Sequence, residues 1–197
     1  MASELDTVLR VNLGCGRNIL AGWINVDVRA LPGVDIVADL DRCREHSLPL
    51  ADDSVDELLL SHVIEHVREP LALMEDLHRA AKSGARMLIR VPYGSSDDAF
   101  EDPTHLRQYF VNSFGYFSQP YYWRADYGYR GDWMTESVTL VVPQQDNVGL
   151  SPAEVMAKVM RERNVVTEMI AQLSAVKPIR EPRKELQVAP SILVRFE

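Results

Sequence analysis

The sequence of 197 residues has few cysteines, and the two it contains are Cys15 and Cys43. Two cysteines are too few for a disulfide framework or a zinc site. No apolar run approaches the roughly 20 residues that span a bilayer, and the opening residues lack the basic and apolar regions of a signal peptide. These absences predict a cytoplasmic protein with reduced thiols and no membrane partner.

Basic residues are also scarce, since 21 Lys and Arg face 29 Asp and Glu and leave a net charge of −8. Nucleic-acid binding needs a surplus of Lys and Arg on one face to neutralise phosphates. The local basic cluster of Arg180, Arg183 and Lys184 is interrupted by acids, which is typical of a solvated loop. The composition therefore predicts no nucleic-acid partner.

Strand-like and helix-like segments alternate between residues 8 and 95, which is typical of a parallel sheet built from βα units. The predicted strands are residues 8–13, 23–28, 35–38, 55–60, 87–91, 137–142 and 191–196. The predicted helices are residues 64–81, capped by Gly84, and residues 151–176. We expect a single α/β domain over residues 1–197, with a doubly wound, mostly parallel sheet of seven strands.

A glycine-containing turn follows the first predicted strand, with the sequence Val11-Asn12-Leu13-Gly14-Cys15-Gly16-Arg17-Asn18. Glycines in such a turn let the backbone approach a ligand without a Cβ clash. On its own, Gly-x-Gly also fits an ordinary turn. Ile19 stands where the dinucleotide fingerprint needs Gly or Ala, which disfavours NAD.

Two acids follow the next two predicted strands. Asp27 ends the second strand, and Asp39, with Leu40, ends the third. A carboxylate at the first position accepts hydrogen bonds from ribose hydroxyls, and one at the second can meet an adenine edge. Each acid alone is commonly a strand-end cap. Because parallel strands present their carboxyl ends at one edge, the acids and the glycine turn together predict a ligand site there.

Three strings resemble the class I S-adenosylmethionine-dependent methyltransferase family: Asn12-Leu13-Gly14-Cys15-Gly16, Gly22-Trp23-Ile24-Asn25-Val26-Asp27 and Ser61-His62-Val63-Ile64-Glu65-His66. The resemblance covers residues 8–92, which it marks as the cofactor-binding half. It implies a Rossmann-like fold, S-adenosylmethionine as cofactor and methyl transfer as the reaction.

The resemblance also implies which residues hold the cofactor. The family's glycine motif corresponds to Gly14 and Gly16, its ribose-binding acid to Asp27, and its adenine-side residue to Asp39 with Leu40. The segment lining the methionine part of the cofactor corresponds to Ser61 and His62. The predicted cofactor-binding set is completed by Asn12, Cys15, Asn18, Val28 and His66.

The sequence departs from the family pattern at two points that affect the cofactor site. Asn12 replaces the acid common at the head of the glycine motif, which predicts a weaker or reorganised contact with the amino group of the cofactor. The first predicted strand begins close to residue 1, so the sequence predicts that the family's N-terminal helices are missing. Another segment is then expected to cover the cofactor.

The string His62-Val63-Ile64-Glu65-His66 also matches the H-x-x-E-H pattern of zinc enzymes. In that pattern two histidines four residues apart share a helical face and bind the metal. A third ligand and a peptide cleft are not indicated, so a zinc hydrolase is the least favoured alternative and no metal is predicted. A further interpretation is that Glu65 and His66 only cap and orient the start of a helix.

Residues 93–134 lack a clear period and are rich in aromatic side chains. A loop of this length is usually functional or disordered, and its aromatic content argues against disorder. We interpret it as an acceptor-binding insertion and partial lid; the alternative is a small satellite core under a long loop. The aromatic residues are Tyr109, Phe110, Phe114, Tyr116, Phe117, Tyr121, Tyr122, Trp123, Tyr127, Tyr129 and Trp133.

Three residues of this insertion are the candidate catalytic groups. Methyl transfer requires a nucleophile aligned at about 3 Å and removal of a proton from a neutral acceptor. His105 is the candidate base because imidazole titrates near neutral pH. Arg107 is a candidate partner for an acceptor carboxylate or phosphate, and Tyr109 completes the set. The alternative for each is a hydrogen bond that only fixes the loop.

The closing part, residues 135–197, contains a strong helix start. Ser151 and Glu154 form a capping box around Pro152 at the first helical position. The helix predicted over residues 151–176 has an apolar stripe that could pack on its own sheet or against a second copy, and we expect a homodimer. The stripe consists of Val155, Val159, Val166, Ile170 and Leu173.

The sequence therefore predicts S-adenosylmethionine-dependent methyl transfer to an O or N atom of a small-molecule acceptor, in natural-product or surface-glycan biosynthesis. Two alternatives keep the cofactor: a non-catalytic S-adenosylmethionine-binding protein, and an enzyme that uses the cofactor for other chemistry.

Overall fold

The computed structural model describes residues 8–197. Within them, eight strands form one sheet: β1 (Arg10–Leu13), β2 (Ile24–Asp27), β3 (Ile36–Val37), β4 (Val55–Ser61), β5 (Ala81–Pro92), β6 (Trp133–Val142), β7 (Glu168–Ala175) and β8 (Ser191–Phe196). The α-helices are α1 (Pro70–Ala80), α2 (Asp98–Glu101) and α3 (Pro152–Val159). Short 3₁₀ helices lie at Leu40–Arg42, Ile64–His66, Ser113–Phe117, Gln119–Trp123, Gln144–Asp146 and Lys184–Leu186.

The strands are arranged in the order β3-β2-β1-β4-β5-β7-β6-β8. Neighbouring strands are parallel, except that β7 runs antiparallel to both β5 and β6. The predicted α/β class with a mostly parallel sheet is confirmed. The sheet has eight strands rather than the predicted seven, because β7 was not recognised in the sequence.

The prediction of a long helix over residues 151–176 is wrong. The capping box at Ser151 forms as expected, but α3 ends at Val159. Asn164, whose φ is 58°, lies in the turn that follows, and the chain then enters β7. The homodimer prediction rested on the apolar stripe of this helix and loses that basis.

Two spacings coexist in the misassigned segment. Val166, Ile170 and Leu173 recur at helical intervals, which suggested one helical face. The buried side of β7 is instead formed by alternate residues, as a strand requires. These alternating residues are Met169, Ala171, Leu173 and Ala175.

The helix predicted over residues 64–81 is shorter in the structure. Pro70 begins α1. The N–H that proline lacks has no hydrogen-bond partner within a helix at this first position, so nothing is lost there. Gly84 does not cap this helix, because β5 already begins at Ala81 and Gly84 lies inside the strand with a φ of 76°.

The sheet buries one face and carries ion pairs on the other. On β5, Met87 and Ile89 are buried in the main core with Leu77 of α1, whereas Arg86 points to the opposite side. There Glu57 accepts hydrogen bonds from Arg86 at 2.5 Å and from Arg10 at 2.9 Å. The connections β1–β2 and β2–β3 contain no helix among the described residues.

The aromatic insertion packs largely against the main core. Six of its eleven aromatic side chains are buried, and they belong to the main core rather than to a separate satellite core. The role of the segment as an acceptor-binding lid stays a prediction. The buried residues are Tyr109, Phe114, Phe117, Tyr122, Tyr129 and Trp133.

A buried ion pair fastens the insertion to the C-terminal part of the chain. Asp132 is 0% exposed, and its two carboxylate oxygens accept hydrogen bonds from Arg180 Nε and Nη2, each at 2.8 Å. Burial by itself raises the pKa of Asp132, but hydrogen bonds from Arg180 outweigh it and the pKa is lowered.

In residues 8–197, no helix is long and apolar enough to cross a bilayer. The prediction that a signal peptide is lacking concerns the opening residues, which lie outside the described part of the chain. A cytoplasmic location stays a prediction.

Candidate functional site

The glycine turn after β1 is shaped by two residues with positive φ, Gly14 at 60° and Gly16 at 52°. A Cβ on Gly14 would meet the Cγ2 atom of Val63 at 2.6 Å, so the backbone passes Val63 only because the residue is glycine. The N–H of Gly16 donates to Asp27 Oδ2 at 2.8 Å, which ties the turn to the end of β2.

Asn12 stabilises this turn through hydrogen bonds of its side chain. It is 2% exposed, and its side-chain amide donates to the Asn18 carbonyl at 2.8 Å and to Asn25 Oδ1 at 3.0 Å. The amide therefore positions the loop, and its predicted contact with the cofactor stays untested. Cys15 is buried beside it, and burial raises the pKa of its thiol, which keeps the sulfur protonated.

A cavity of about 400 Å³ lies at the carboxyl edge of β1, β2 and β4. This size is ordinary for a small-molecule site. Seven of the twelve predicted cofactor-binding residues line it: Gly14, Asp27, Val28, Asp39, Leu40, His62 and His66. The cavity lining does not include Asn12, Cys15, Gly16, Asn18 and Ser61; the first four form or support the glycine turn, and Ser61 ends β4.

The acidic side of the cavity contains one residue that the sequence did not single out. Asp39 caps the 3₁₀ helix Leu40–Arg42 by accepting from the N–H of Asp41 at 3.0 Å. Asp41 also lines the cavity and accepts from the N–H of Arg68 at 2.6 Å. Three carboxylates, counting Asp27, therefore surround this side of the site.

His62 supplies a positive charge to the same cavity. Its Nε2 lies 2.9 Å from Glu168 Oε1, and Glu168 also accepts two hydrogen bonds from Arg90, at 3.1 and 2.6 Å. The hydrogen bond with Glu168, aided by Glu65, raises the pKa of His62 to about 9. The imidazole is therefore a cation at neutral pH. Glu168 was missed because it falls in the segment predicted as helix.

His105 lies beside His66, although the two residues are far apart in the sequence. The two imidazole rings are 4.7 Å apart between centroids and pack edge to face. Nδ1 of His66 is 2.9 Å from Thr104 Oγ1. The structure thus brings the candidate base into contact with His66, which forms part of the cavity lining, whereas His105 itself does not line the cavity.

Arg107 and Tyr109 are placed differently from His105. The Arg107 guanidinium donates to the carbonyls of Val67 and Arg68, at 2.5 and 2.7 Å, and so fixes the segment before α1. The Tyr109 hydroxyl donates to the Ile64 carbonyl at 3.3 Å, and burial raises the pKa of its phenol. Both residues line a second cavity, of about 560 Å³. Their predicted catalytic roles stay untested.

A sequence model described as a methyltransferase domain matches residues 11–127, which is more than half of the chain. This protein belongs to that methyltransferase family. The cofactor of the family is S-adenosylmethionine, as the resemblance implied. No curated protein matches the chain.

Solved structures of low sequence identity share the fold of this methyltransferase. It resembles an S-adenosylmethionine-dependent methyltransferase of Archaeoglobus fulgidus with a TM-score of 0.57 and 16% identity, over 86% of this chain and 87% of the other. It also resembles an S-adenosylmethionine-dependent methyltransferase of Thermotoga maritima, with a TM-score of 0.55 and 14% identity, over 85% of this chain and 82% of the other. The [4+2]-cyclase SpnF has a TM-score of 0.50 and 15% identity, over 87% of this chain and 77% of the other. Identities this low establish the fold alone.

Proposed function

We propose that this methyltransferase transfers the methyl group of S-adenosylmethionine to an O or N atom of a small molecule held beside His66 and His105. The observation that carries the proposal lies at the edge of the predicted cofactor cavity: His66 is part of the lining, and its ring is 4.7 Å from the ring of His105 between centroids. A methyl donor and its acceptor must meet at such a boundary.

The residues of the cavity fit this cofactor. The Gly14 turn leaves room for a ligand, and the Asp27 carboxylate retains free lone pairs for ribose hydroxyls, since each oxygen can accept two hydrogen bonds. The cationic His62 offers a partner for the carboxylate of the amino acid part. Bound S-adenosylmethionine supplies an electrophilic methyl group on a positively charged sulfur, and the surrounding carboxylates favour such a cation.

Calorimetric titration with S-adenosylhomocysteine tests the cofactor site. We expect Asp27→Ala to weaken binding about 10- to 100-fold, because a charged acceptor of hydrogen bonds contributes about 1.5–3 kcal/mol. Asp146→Ala, which removes an exposed aspartate from outside the cavity lining, should leave the affinity unchanged. Equal affinities of the two variants would refute the assignment of Asp27.

The acceptor side is tested by turnover. A panel of small hydroxyl and amine acceptors is incubated with S-adenosylmethionine, and products are identified by mass spectrometry. His105→Ala should reduce methyl transfer by about 100-fold or more and leave the affinity for S-adenosylhomocysteine intact. A product without an added methyl group would favour other chemistry on the same cofactor instead, as the fold likeness to a cyclase suggests.

A further inference from the structure

We propose that Glu65, His66 and His105 bind one divalent transition-metal ion at the boundary between the cofactor cavity and the acceptor. One ligand atom from each side chain lies within 4.8 Å of the others. Two imidazoles and one carboxylate are a ligand set used by zinc and by iron, and three protein ligands leave coordination positions open for a substrate oxygen.

Glu65 is the strongest sign that a ligand belongs here. Its side chain is buried, with the residue 1% exposed, and neither carboxylate oxygen has a hydrogen-bond partner among the described residues. The Nδ1 atom of the cationic His62 forms an ion pair with Oε1 at 3.5 Å, and Oε2 has no partner of its own among the described residues. A buried carboxylate is costly unless it is well paired or coordinates a metal, and one long ion pair leaves room for a second cation at this point.

Each histidine keeps a ring nitrogen for the ion, and the His66 ring is oriented by hydrogen bonds through its other nitrogen. Nδ1 of His66 is held by Thr104, at 2.9 Å from the hydroxyl and 3.3 Å from the carbonyl. Nε2 of His105 faces Asp102 Oδ2 at 3.9 Å. The opposite nitrogen of His105, Nδ1, is buried without a partner in residues 8–197. Metal-binding histidines typically donate their second N–H to a carboxylate or carbonyl, as His66 does to the Thr104 carbonyl.

This ligand set differs from the one that the H-x-x-E-H pattern suggests. His62 turns away to Glu168, at 2.9 Å, and the glutamate between the two histidines takes its place, joined by His105 from the insertion. A bound ion would polarise an acceptor hydroxyl and ease the release of its proton to solvent. That catalytic role rests on the proposed function and would make His105 a ligand rather than the base; the binding site itself does not depend on it.

Zinc titration of chelator-treated, dialysed full-length protein tests the site in the absence of cofactor. We expect one equivalent to bind and to raise the thermal midpoint. Glu65→Gln and His105→Asn should each weaken binding by at least about 100-fold. His46→Gln, which alters an exposed histidine outside the cluster, should bind zinc as the wild type does. His62→Gln should also retain one equivalent.

Absence of zinc binding by the wild type, or equal binding by Glu65→Gln, would overturn the proposal. Loss of binding in His62→Gln would overturn the ligand set in favour of the His62–His66 pair. If a ligand variant does not fold, the absorption spectrum of the cobalt-loaded wild type decides, because binding in a site with two imidazoles and open positions shifts and strengthens the weak visible bands of aqueous cobalt, and an unchanged spectrum would overturn the proposal. Methyl transfer that continues in excess chelator would refute the catalytic role and leave the proposed function standing. Zinc binding without turnover would leave the metal site standing and count against the proposed function.

Discussion

Replacing Gly14 with alanine should destabilise the protein in two ways, through backbone strain and through steric overlap with Val63. An alanine at a φ of 60° carries backbone strain of about 1–2 kcal/mol. Its Cβ would also lie 2.6 and 2.8 Å from the two Cγ atoms of Val63, and overpacking of this kind costs about 1–3 kcal/mol. We therefore expect Gly14→Ala to lower the free energy of unfolding by about 2–5 kcal/mol.

Gly16 provides the matched control. Its φ is 52°, so alanine is strained there too, but an added Cβ would meet nothing within 4 Å. Gly16→Ala should lose only about 1–2 kcal/mol. Urea unfolding followed by tryptophan fluorescence measures both variants. Adding Val63→Ala to Gly14→Ala should recover most of the difference, as a favourable coupling in a double-mutant cycle. Equal losses in the two glycine variants, or no coupling, would refute the steric argument.

Three further predictions concern stability. Arg180→Met strands the buried Asp132 carboxylate and should cost about 3–5 kcal/mol in urea unfolding, whereas the exposed Arg183→Met should change it by less than about 0.5 kcal/mol. Burial raises the pKa of Asp132 and Arg180 lowers it, so removing Arg180 moves the pKa of the folded protein upwards. The advantage of the wild type over Arg180→Met should therefore shrink as the pH falls from the pKa of the variant to that of the wild type; a pH-independent gap would contradict this. Burial lowers the pKa of His78, so the unfolded chain takes up a proton that the folded chain refuses, and stability should fall as the pH drops through about 6.5. His78→Gln should flatten this slope between pH 7.5 and 5.5, and equal slopes would show that His78 is not responsible.

The features that could be predicted from the sequence are those written in local patterns. The turn of Gly14 and Gly16 and the strand-end acids Asp27 and Asp39 depend on residues close together in the chain. Their placement on one edge follows from parallel strands alone. The capping box at Ser151 likewise formed as its spacing indicated.

The features that were missed depend on pairing across long stretches of chain. The residues of β7 satisfy helical and strand spacing at once, and only its pairing with β5 and β6 decides between them. Glu168 was hidden with that strand. The contact between His66 and His105 was likewise not predictable from the sequence, since it depends on how the insertion folds back over the segment after β4.

The position of β7 in the sheet affects how this protein folds during its synthesis. On the ribosome β6 emerges before β7, yet in the finished sheet β7 lies between β5 and β6. A nascent chain that has not yet exposed Glu168–Ala175 therefore holds two strands whose facing edges have no partner. Such edges recruit strands from other chains. Both edges are closed together once β7 has left the ribosome and paired, and until then the chain is prone to aggregate through them.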